Sequence, residues 1–516
     1  MDSPIVSSAA MRAAEEAAFA TGVEVEALMD RAGAGVAAAI RQFFPRGGRA
    51  IVFIGKGHNG GDALVAAARL KEAGWEIDLR LIFPEEECAE LTRKKLEEFR
   101  RDGQKHVPLV GRAEARPSGL IVLDGILGLG AKHLLREPVR TAAQEINRLR
   151  REQNAFVFAL DLPTGLDGDT GDNDPDCVIA NCTVTIGNAK HGLLIDSALQ
   201  FVGRIAIVTL AELTIAPSPT NDLMATTLGL ASFLPWRKFD AYKNQFGRIG
   251  VVAGSSGLTG AALLTTHGAL RGGAGLVQLF ALKEIYPILA AAAPPEAMVI
   301  PIRSYRDLPQ EGIAVWAVGP GLGKSEAKDI LRLVERAREP MVLDADGLNI
   351  IAGDVQILKR SPGPRLLTPH PGEMKRLLDP GKMSRAGTAR SFTDMFPVTL
   401  LYKGARTIVA EREKPLSYNS TGNPGMATGG MGDVLTGICA ALIGQGLSLY
   451  DAARVGAWAC GRAAEIAVFE KGESEPSVLP RDVLANLGAA FWELQGVIAP
   501  APASADRVRL SSPRNE

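Results

Sequence analysis

Cysteine is scarce in this chain: Cys88, Cys177, Cys182, Cys439 and Cys460 are the only five in 516 residues. They are odd in number, widely spread and never in CxxC or zinc-ligand spacing, which excludes a disulfide framework or a zinc module. A surplus of one charge is missing too. Lys+Arg 57 stand against Asp+Glu 58, so there is no basic footprint for nucleic acid. No apolar run reaches the ~18 residues that a membrane helix requires. The opening stretch, MDSPIVSSAAMRAAEEAAFA, lacks the basic flank and apolar core of a secretory signal. Aromatic residues make up only 5%, but 46% of the chain is hydrophobic, which excludes a disordered chain. The expectation is a cytoplasmic protein acting on small molecules, without a nucleic-acid or membrane partner, and a homo-oligomer.

Glycine is plentiful, with 56 residues, as suits an α/β protein with many tight strand-to-helix turns. Short Val/Ile-rich runs at Ala50–Ile54, Leu120–Leu123, Phe156–Leu160, Cys182–Ile186 and Arg204–Val208 alternate with Ala-rich helical stretches such as Gly61–Ala73. The rhythm resumes at Arg248–Ala253, Val315–Val318, Pro340–Leu343 and Pro397–Leu401. Such runs read as buried parallel strands with crossover helices. Between the two series, Ala211–Asp222 (AELTIAPSPTND) has linker chemistry. Two α/β domains are therefore expected, over residues 1–215 and 216–500, with a disordered polar tail at 501–516.

In the first half, the run ending at Ile54 passes through Gly55, Gly57, His58, Asn59, Gly60, Gly61 and Asp62 into a helix. This has the G-x-G-x-x-G form, in which glycines let the backbone approach an anion at a helix N-terminus. A dinucleotide fold of the usual kind also wants an acid near the end of the next strand. Asp78 stands near that strand's start instead. Two further strand ends carry Asp124, before the loop Gly125–Gly130, and Asp161, before Leu162, Pro163 and Thr164. Ligands bind beyond the carboxyl ends of strands in open α/β sheets. Oxygens of Asn59, Asp124 and Thr164 also suit a hard cation.

These motifs, with LMDRAG at 28–33, ALDLPTGLD at 159–167 and TVTIGNAKHG at 183–192, resemble the NAD(P)HX epimerase family, or YjeF N-terminal domain. The resemblance implies a Rossmann-like three-layer fold that interconverts the R and S forms of hydrated NADH or NADPH. It implies further that His58, Asn59, Gly60, Gly61 and Asp62, with Gly128, Leu129, Gly130, Ala131, Lys132, His133 and Leu134, embrace the dinucleotide. Asp161 would meet the hydrated nicotinamide as acid or base, and Asn59, Asp124 and Thr164 would hold potassium. Lys190 is expected on the substrate side or in solvent. Thr164 replaces the family's usual serine and keeps its hydroxyl. Ala63 replaces a glycine, which is tolerable only where φ is negative.

In the second half, GPGLGKS at 319–325 imitates a phosphate-binding P-loop. The spacing is one residue short and Pro320 stiffens the loop, so that reading is rejected. The stronger motif is GNPGMATGGMGD at 422–433, followed by the apolar helix Val434–Leu442. Glycines before a helix aim N–H groups at one point, and Asp433 in the first turn can take a proton from a hydroxyl attacking phosphate.

This arrangement resembles the ribokinase-like superfamily. FGRIGVVAGS at 246–255, TGAA at 259–262, RGGAG at 271–275, GPGLG at 319–323, LDADGLN at 343–349, TPHPGE at 368–373 and KGART at 403–407 narrow it to the ADP-dependent NAD(P)H-hydrate dehydratase family. The resemblance implies that Ala261, Gly321, Gly323, His370 and Asp433 face the hydrated nucleotide. Lys403, Gly404, Ala405, Arg406, Thr407 and Gly432 would bind the adenine nucleotide. Asp433 would deprotonate the C6 hydroxyl of the S hydrate for attack on the β-phosphorus of ADP. Elimination of the ester would yield NAD(P)H, AMP and phosphate, with magnesium near Asp344 and Asp346. Two alternatives stand beside this: a small-molecule kinase with a non-catalytic N-terminal nucleotide module, and a Rossmann dehydrogenase with a regulatory domain.

Overall fold

A computed structural model describes residues 3–102, 119–130, 134–215, 221–234 and 236–496. Ala131, Lys132, His133, the middle of the expected linker and the tail 501–516 lie outside the described residues. Among the described residues, seventeen strands run β1 Ser3–Pro4, β2 Arg49–Ile54, β3 Glu76–Leu81, β4 Leu120–Gly125, β5 Phe156–Leu160, β6 Cys182–Ile186, β7 Arg204–Val208, β8 Leu223–Ala225 and β9 Arg248–Val252. They continue with β10 Leu276–Leu282, β11 Met298–Ile302, β12 Val315–Val318, β13 Met341–Leu343, β14 Arg365–Leu367, β15 Thr399–Tyr402, β16 Ile408–Ala410 and β17 Ser417–Asn419.

Six of these form an all-parallel sheet in the order β3-β2-β4-β5-β6-β7. The order reverses between β2 and β4, a switch point where loops diverge and leave a crevice. Both strands are buried along almost their whole length, as expected of a sheet covered on two faces. The second sheet has eleven strands, β1-β8-β17-β16-β15-β14-β13-β12-β9-β10-β11. Its centre, from β15 to β11, is parallel, and an antiparallel flap of β16 and β17 is added to one side.

The two sheets are not separate bodies on a tether. Strand β1 comes from the first residues of the chain yet pairs with β8 in the second sheet, Ser3 opposite Met224. One apolar core runs from Ile5, Leu162 and Leu193 through Met224 to Tyr418. Phe469 of the second half stacks edge-on against Phe43 of the first, with ring centroids 4.9 Å apart. No helix among the described residues is long and apolar enough to cross a membrane.

Two glycine-bearing helices decide how the second half packs. Thr259–Arg271 and Met431–Gly444 cross so closely that a Cβ on Gly437 would lie 2.1 Å from the Thr265 carbonyl oxygen. A Cβ on Gly268 would lie 2.4 Å from that of Val434. This contact sets the depth at which the helix carrying Asp433 sits against the helix carrying Ala261. Gly437→Ala must therefore push the pair apart. A loss of about 1–3 kcal/mol of stability is expected, the usual cost of overpacking, to be read as a lower urea midpoint. The first-half activity assayed below should be unaffected in native buffer.

Candidate active sites at two sheet edges

At the switch point, the helix after β2 begins at His58, within the glycine motif rather than after it. Gly60 and Gly61 already donate back to the Gly57 carbonyl at 3.0 and 3.4 Å. The amides of His58 and Asn59, at the start of the helix, have no carbonyl one turn back within it, the usual condition of an anion-binding end. Ala63 lies inside that helix and not among the residues with positive φ. Its Cβ packs over Gly125, where an added Cβ would come within 2.4 Å. Asp78, as expected from its place in β3, is engaged elsewhere, 3.5 Å from Arg49 Nη2 and 3.3 Å from Arg80 Nη2.

Asp124 ends β4 fully buried. It accepts from Thr164 Oγ1 at 2.7 Å, Thr164 N at 2.8 Å and Ile126 N at 3.3 Å. Burial still raises its pKa to about 6, the hydrogen bonds from Thr164 and Ile126 offsetting only part of that cost. Asn59 Nδ2 donates to the Leu160 carbonyl at 3.3 Å, turning its Oδ1 towards Gly128. A Cβ on Gly128 would lie 3.1 Å from Asn59 Oδ1 and 3.5 Å from Asp161 Oδ2. Asn59, Asp124, Thr164, Gly128 and Asp161 thus meet at one sheet edge.

Asp161 stands just beyond β5 at φ +68°, a conformation uncommon outside glycine and kept where the surroundings impose it. Its Oδ1 accepts from Thr185 Oγ1 at 3.2 Å, from Ile186 N at 3.3 Å and from Lys190 Nζ. Oδ2 is the oxygen turned to the glycine loop. Lys190 is not solvated. It is fully buried, pinned by Asp161, Thr185 Oγ1 at 3.0 Å and the Ile186 carbonyl at 2.9 Å. An ammonium without water needs such partners, and a short turn from β6 brings it back to the Asp161 carboxylate. Leu134, by contrast, is exposed.

The helix Ser8–Ala20 completes the site, and sequence reading missed it. Ser8, Met11, Ala14 and Ala18 form its buried stripe, and half-buried Glu15 falls on the same face. Its carboxyl is raised by burial and then by repulsion from Asp161. Arg12 donates to the Leu129 carbonyl of the glycine loop. Asp62 is raised well above the ordinary range by burial, then by Asp161 and Glu15. An acid at i+4 on an apolar stripe was the available signal.

At the second edge, the helix Met431–Gly444 starts after Gly430, in left-handed conformation at φ +91°. A Cβ on Gly432 would lie 3.1 Å from Lys403 Nζ and 3.2 Å from Asp344 Oδ2. Lys403 donates to Asp344 Oδ1 at 2.6 Å, and Thr436 Oγ1 to Asp344 Oδ2 at 2.9 Å. Burial alone would raise Asp344, but Lys403, with hydrogen bonds from Thr368 and Thr436, outweighs it and holds the carboxyl below its usual value. Asp433 has no such partner among the described residues. Burial, then repulsion from Asp344, lifts it to about 6 despite the pull of Lys403.

The loop after β12 closes the other side. A Cβ on Gly321 would meet Ala261 Cβ at 2.9 Å. Asp346 Oδ2 accepts from Gly323 N at 2.9 Å. His370 caps the helix Pro371–Leu377: its Nδ1 accepts from Gly372 N at 3.0 Å and Glu373 N at 3.4 Å. The exposed Nε2 remains, 3.3 Å from Glu373 Oε1. Lys403 reaches the anion hole, whereas Arg406 turns its side chain away from it. The Arg406 guanidinium donates to the Gly203 carbonyl of the first half, and burial pushes its pKa down to about 9. Asp344 accepts from Lys403 and Thr436, and Asp346 from Gly323 N and Asn349 Nδ2; among the described residues no group of three His, Cys, Asp or Glu side chains could hold a metal ion.

Comparison with known proteins agrees with this division. The family described as YjeF-related protein N-terminus matches residues 25–192, and the family described as NAD(P)H-hydrate dehydratase matches residues 249–486. Bifunctional NAD(P)H-hydrate repair enzymes from Moorella thermoacetica and Escherichia coli are 36% and 34% identical to the chain. The matches cover 86% and 88% of this chain, and 89% and 88% of those proteins. The crystal structure of an ADP/ATP-dependent NAD(P)H-hydrate dehydratase from Bacillus subtilis, co-crystallised with ATP and magnesium, covers 53% of this chain and 99% of its own at 26% identity and a TM-score of 0.47. With both halves matched in order by relatives of this identity and coverage, the chain belongs to the family of bifunctional NAD(P)H-hydrate repair enzymes.

Proposed function

We propose that this chain returns hydrated NADH and NADPH to use: the first site interconverts the R and S hydrates, and the second dehydrates the S form at the expense of ADP. The observation that carries the dehydratase reading is Asp433, a carboxylate raised to about 6 beside Lys403 in the first turn of a glycine-capped helix. At neutral pH it is ionised yet basic enough to take the C6 hydroxyl proton. The oxygen so freed attacks the β-phosphorus of ADP, and AMP leaves. The Lys403 ammonium and the amides at the helix start meet the phosphoryl charge. Phosphate then departs from C6 as C5 gives up a proton, restoring the dihydronicotinamide. The 403–407 loop lies along the adenine nucleotide, while Ala261, Gly321, Gly323 and His370 border the hydrate. Magnesium arrives with the nucleotide phosphates, as no three His, Cys, Asp or Glu side chains cluster to hold it among the described residues.

In the first site, Asp161 Oδ2 faces the hydrated ring across Gly128 and exchanges protons with its hydroxyl. Lys190 keeps Oδ1 occupied. The amides at the start of the helix beginning at His58 and the 128–134 loop receive the dinucleotide. Potassium suits Asn59, Asp124 and Thr164, all hard oxygen donors. The support is Asp124 itself, fully buried and without a cationic side chain among the described residues. When bound, the ion supplies that missing charge.

Mixed R and S hydrate supplied with ADP and magnesium should recover its full nicotinamide absorbance, with one phosphate and one AMP per NADH. Recovery that halts at the S fraction would leave the first half a binding module, and untouched ADP would sink the dehydratase. Asp433→Asn is expected to lower dehydratase kcat by about 10²–10⁴-fold while epimerisation, followed by chromatography of the two hydrates, continues. Because Asp433 acts ionised and its pKa is about 6, dehydratase kcat/KM should be flat above neutrality. It should fall tenfold per pH unit below about 6, a limb absent in Asp433→Asn. Lys190→Met, leaving Asp161 buried without its counter-charge, should cut epimerisation at least tenfold. Exchange of potassium for choline should slow epimerisation and spare dehydration of pure S hydrate.

A further inference from the structure

The loops assigned to the adenine nucleotide are not anchored by the second half alone. Arg385, the first residue of the helix Arg385–Met395, cups the 402–406 turn from beneath. Its guanidinium donates to the carbonyls of Ala405 at 2.7 Å, Tyr402 at 3.2 Å, Lys403 at 3.3 Å and Arg406 at 3.4 Å. Arg385 is in turn held by the first half: Asp196 Oδ2 accepts its backbone N–H at 3.1 Å, and Oδ1 lies 3.7 Å from its guanidinium. Seven residues further on, the Gly203 carbonyl accepts from Arg406.

The next residue, Arg204, reaches the other loop. Its guanidinium, 4.6 Å over the Phe43 ring, pairs with Glu465. Glu465 is fully buried at the end of the helix Leu449–Glu465. The same carboxylate accepts from Gly422 N at 2.6 Å, at the start of the glycine loop that leads to Asp433. Neighbouring Asn423 is tied to the same helix, donating from Nδ2 to the Ala464 carbonyl at 3.0 Å. Arg462 lies 3.5 Å from Glu465 Oε2 but is also shared with Glu470 and Glu493. Arg204 is therefore the cation that Glu465 does not share with another carboxylate among the described residues, and removing one partner of a buried ion pair leaves the other's charge uncompensated.

We propose that the first-half segment Asp196–Arg204 is the seat on which both nucleotide loops of the dehydratase are set, with Asp196 and Arg204 as its positioning residues. Three separate contacts, Asp196 to Arg385, Gly203 to Arg406 and Arg204 to Glu465, leave one short segment and reach two loops far apart in the second-half sequence. The adenine nucleotide meets the loops at their backbone, so their spacing sets its affinity. This rests on the ADP-dependent reading above and adds that the epimerase half contributes to ADP binding without touching ADP.

The test uses the full chain carrying Asp196→Ala, Arg204→Met or Arg204→Lys. Kinetics are read with pure S hydrate, and ADP affinity is read directly by calorimetry. Asp196→Ala should raise the KM and Kd for ADP roughly five- to tenfold, the effect of one lost charge-assisted bond. Its KM for the hydrate and its epimerase rate should stay within about twofold. Arg204→Met should weaken ADP more and lower kcat as well, since Gly422 loses its fixed acceptor; Arg204→Lys, which keeps the charge, should recover most of that loss. Unchanged ADP affinity in Asp196→Ala overturns the proposal, as does an equal fall in both activities, which would mean general loosening. Should Arg204→Met fail to fold, Asp196→Ala and Arg204→Lys decide the matter. A wild-type chain that binds ADP without consuming hydrate removes the dehydratase reading alone, and the affinities of the variants then still decide. A wild-type chain that binds no ADP overturns both.

Discussion

Burying a carboxylate away from water raises its proton affinity unless a cation or several donors repay the lost hydration, and this chain distributes that compensation unevenly. Asp344 is given an ammonium and a hydroxyl and is held acidic. Asp161 is given Lys190 and two further donors, all on one oxygen. Asp124 has donors but no cationic side chain among the described residues, and Asp433 only a neighbouring lysine already engaged with Asp344. The last two rise to about 6. What each acid can do follows from what it has been denied: one is short of a cation, the other is left basic.

Both sites obey the same topological rule. In each sheet the strands that matter are parallel, so their carboxyl ends share an edge, and the loops beyond them are free to carry polar residues. The rule explains why Asp124 and Asp161 converge from adjacent strands in the first half. In the second, Gly321, Asp344, His370 and Lys403 do so from β12, β13, β14 and β15. Helix starts point at the same edge, which puts anion-holding amides opposite acids.

Much of this was legible in the residues. The strands Phe156–Leu160, Cys182–Ile186, Arg204–Val208 and Val315–Val318 coincide with their runs; all but the edge strand Arg204–Val208 are buried along almost their whole length, which leaves few charged residues to break the pattern. The motifs carrying Asp433, Asp161 and Asp124 sit at strand ends or helix starts, as their glycines implied. What could not be read was long-range. Nothing local distinguishes buried Lys190 from a solvated lysine, and Arg406 within KGART looks like its neighbour Lys403 although it turns the opposite way. Strands β16 and β17 are three residues each, too short for any periodicity. Glu15 shows in the residues only as an acid on the apolar stripe of its helix, and it is the packing of the helix Ser8–Ala20 that brings it near Asp161.

Strand β1 carries a consequence for how the protein is made. Ser3 and Pro4 leave the ribosome well before their partners, Met224 and Leu223, which belong to the second half. Between them, Val6 bridges Lys190 and pairs with Ala189. Synthesis proceeds from the N-terminus, and domains ordinarily fold in that order. Here β1 must stay unpaired until β8 has emerged, and β8 in turn lies beside β17. The first half can collapse early, but its final seam is sewn late, by sequence that the second half supplies.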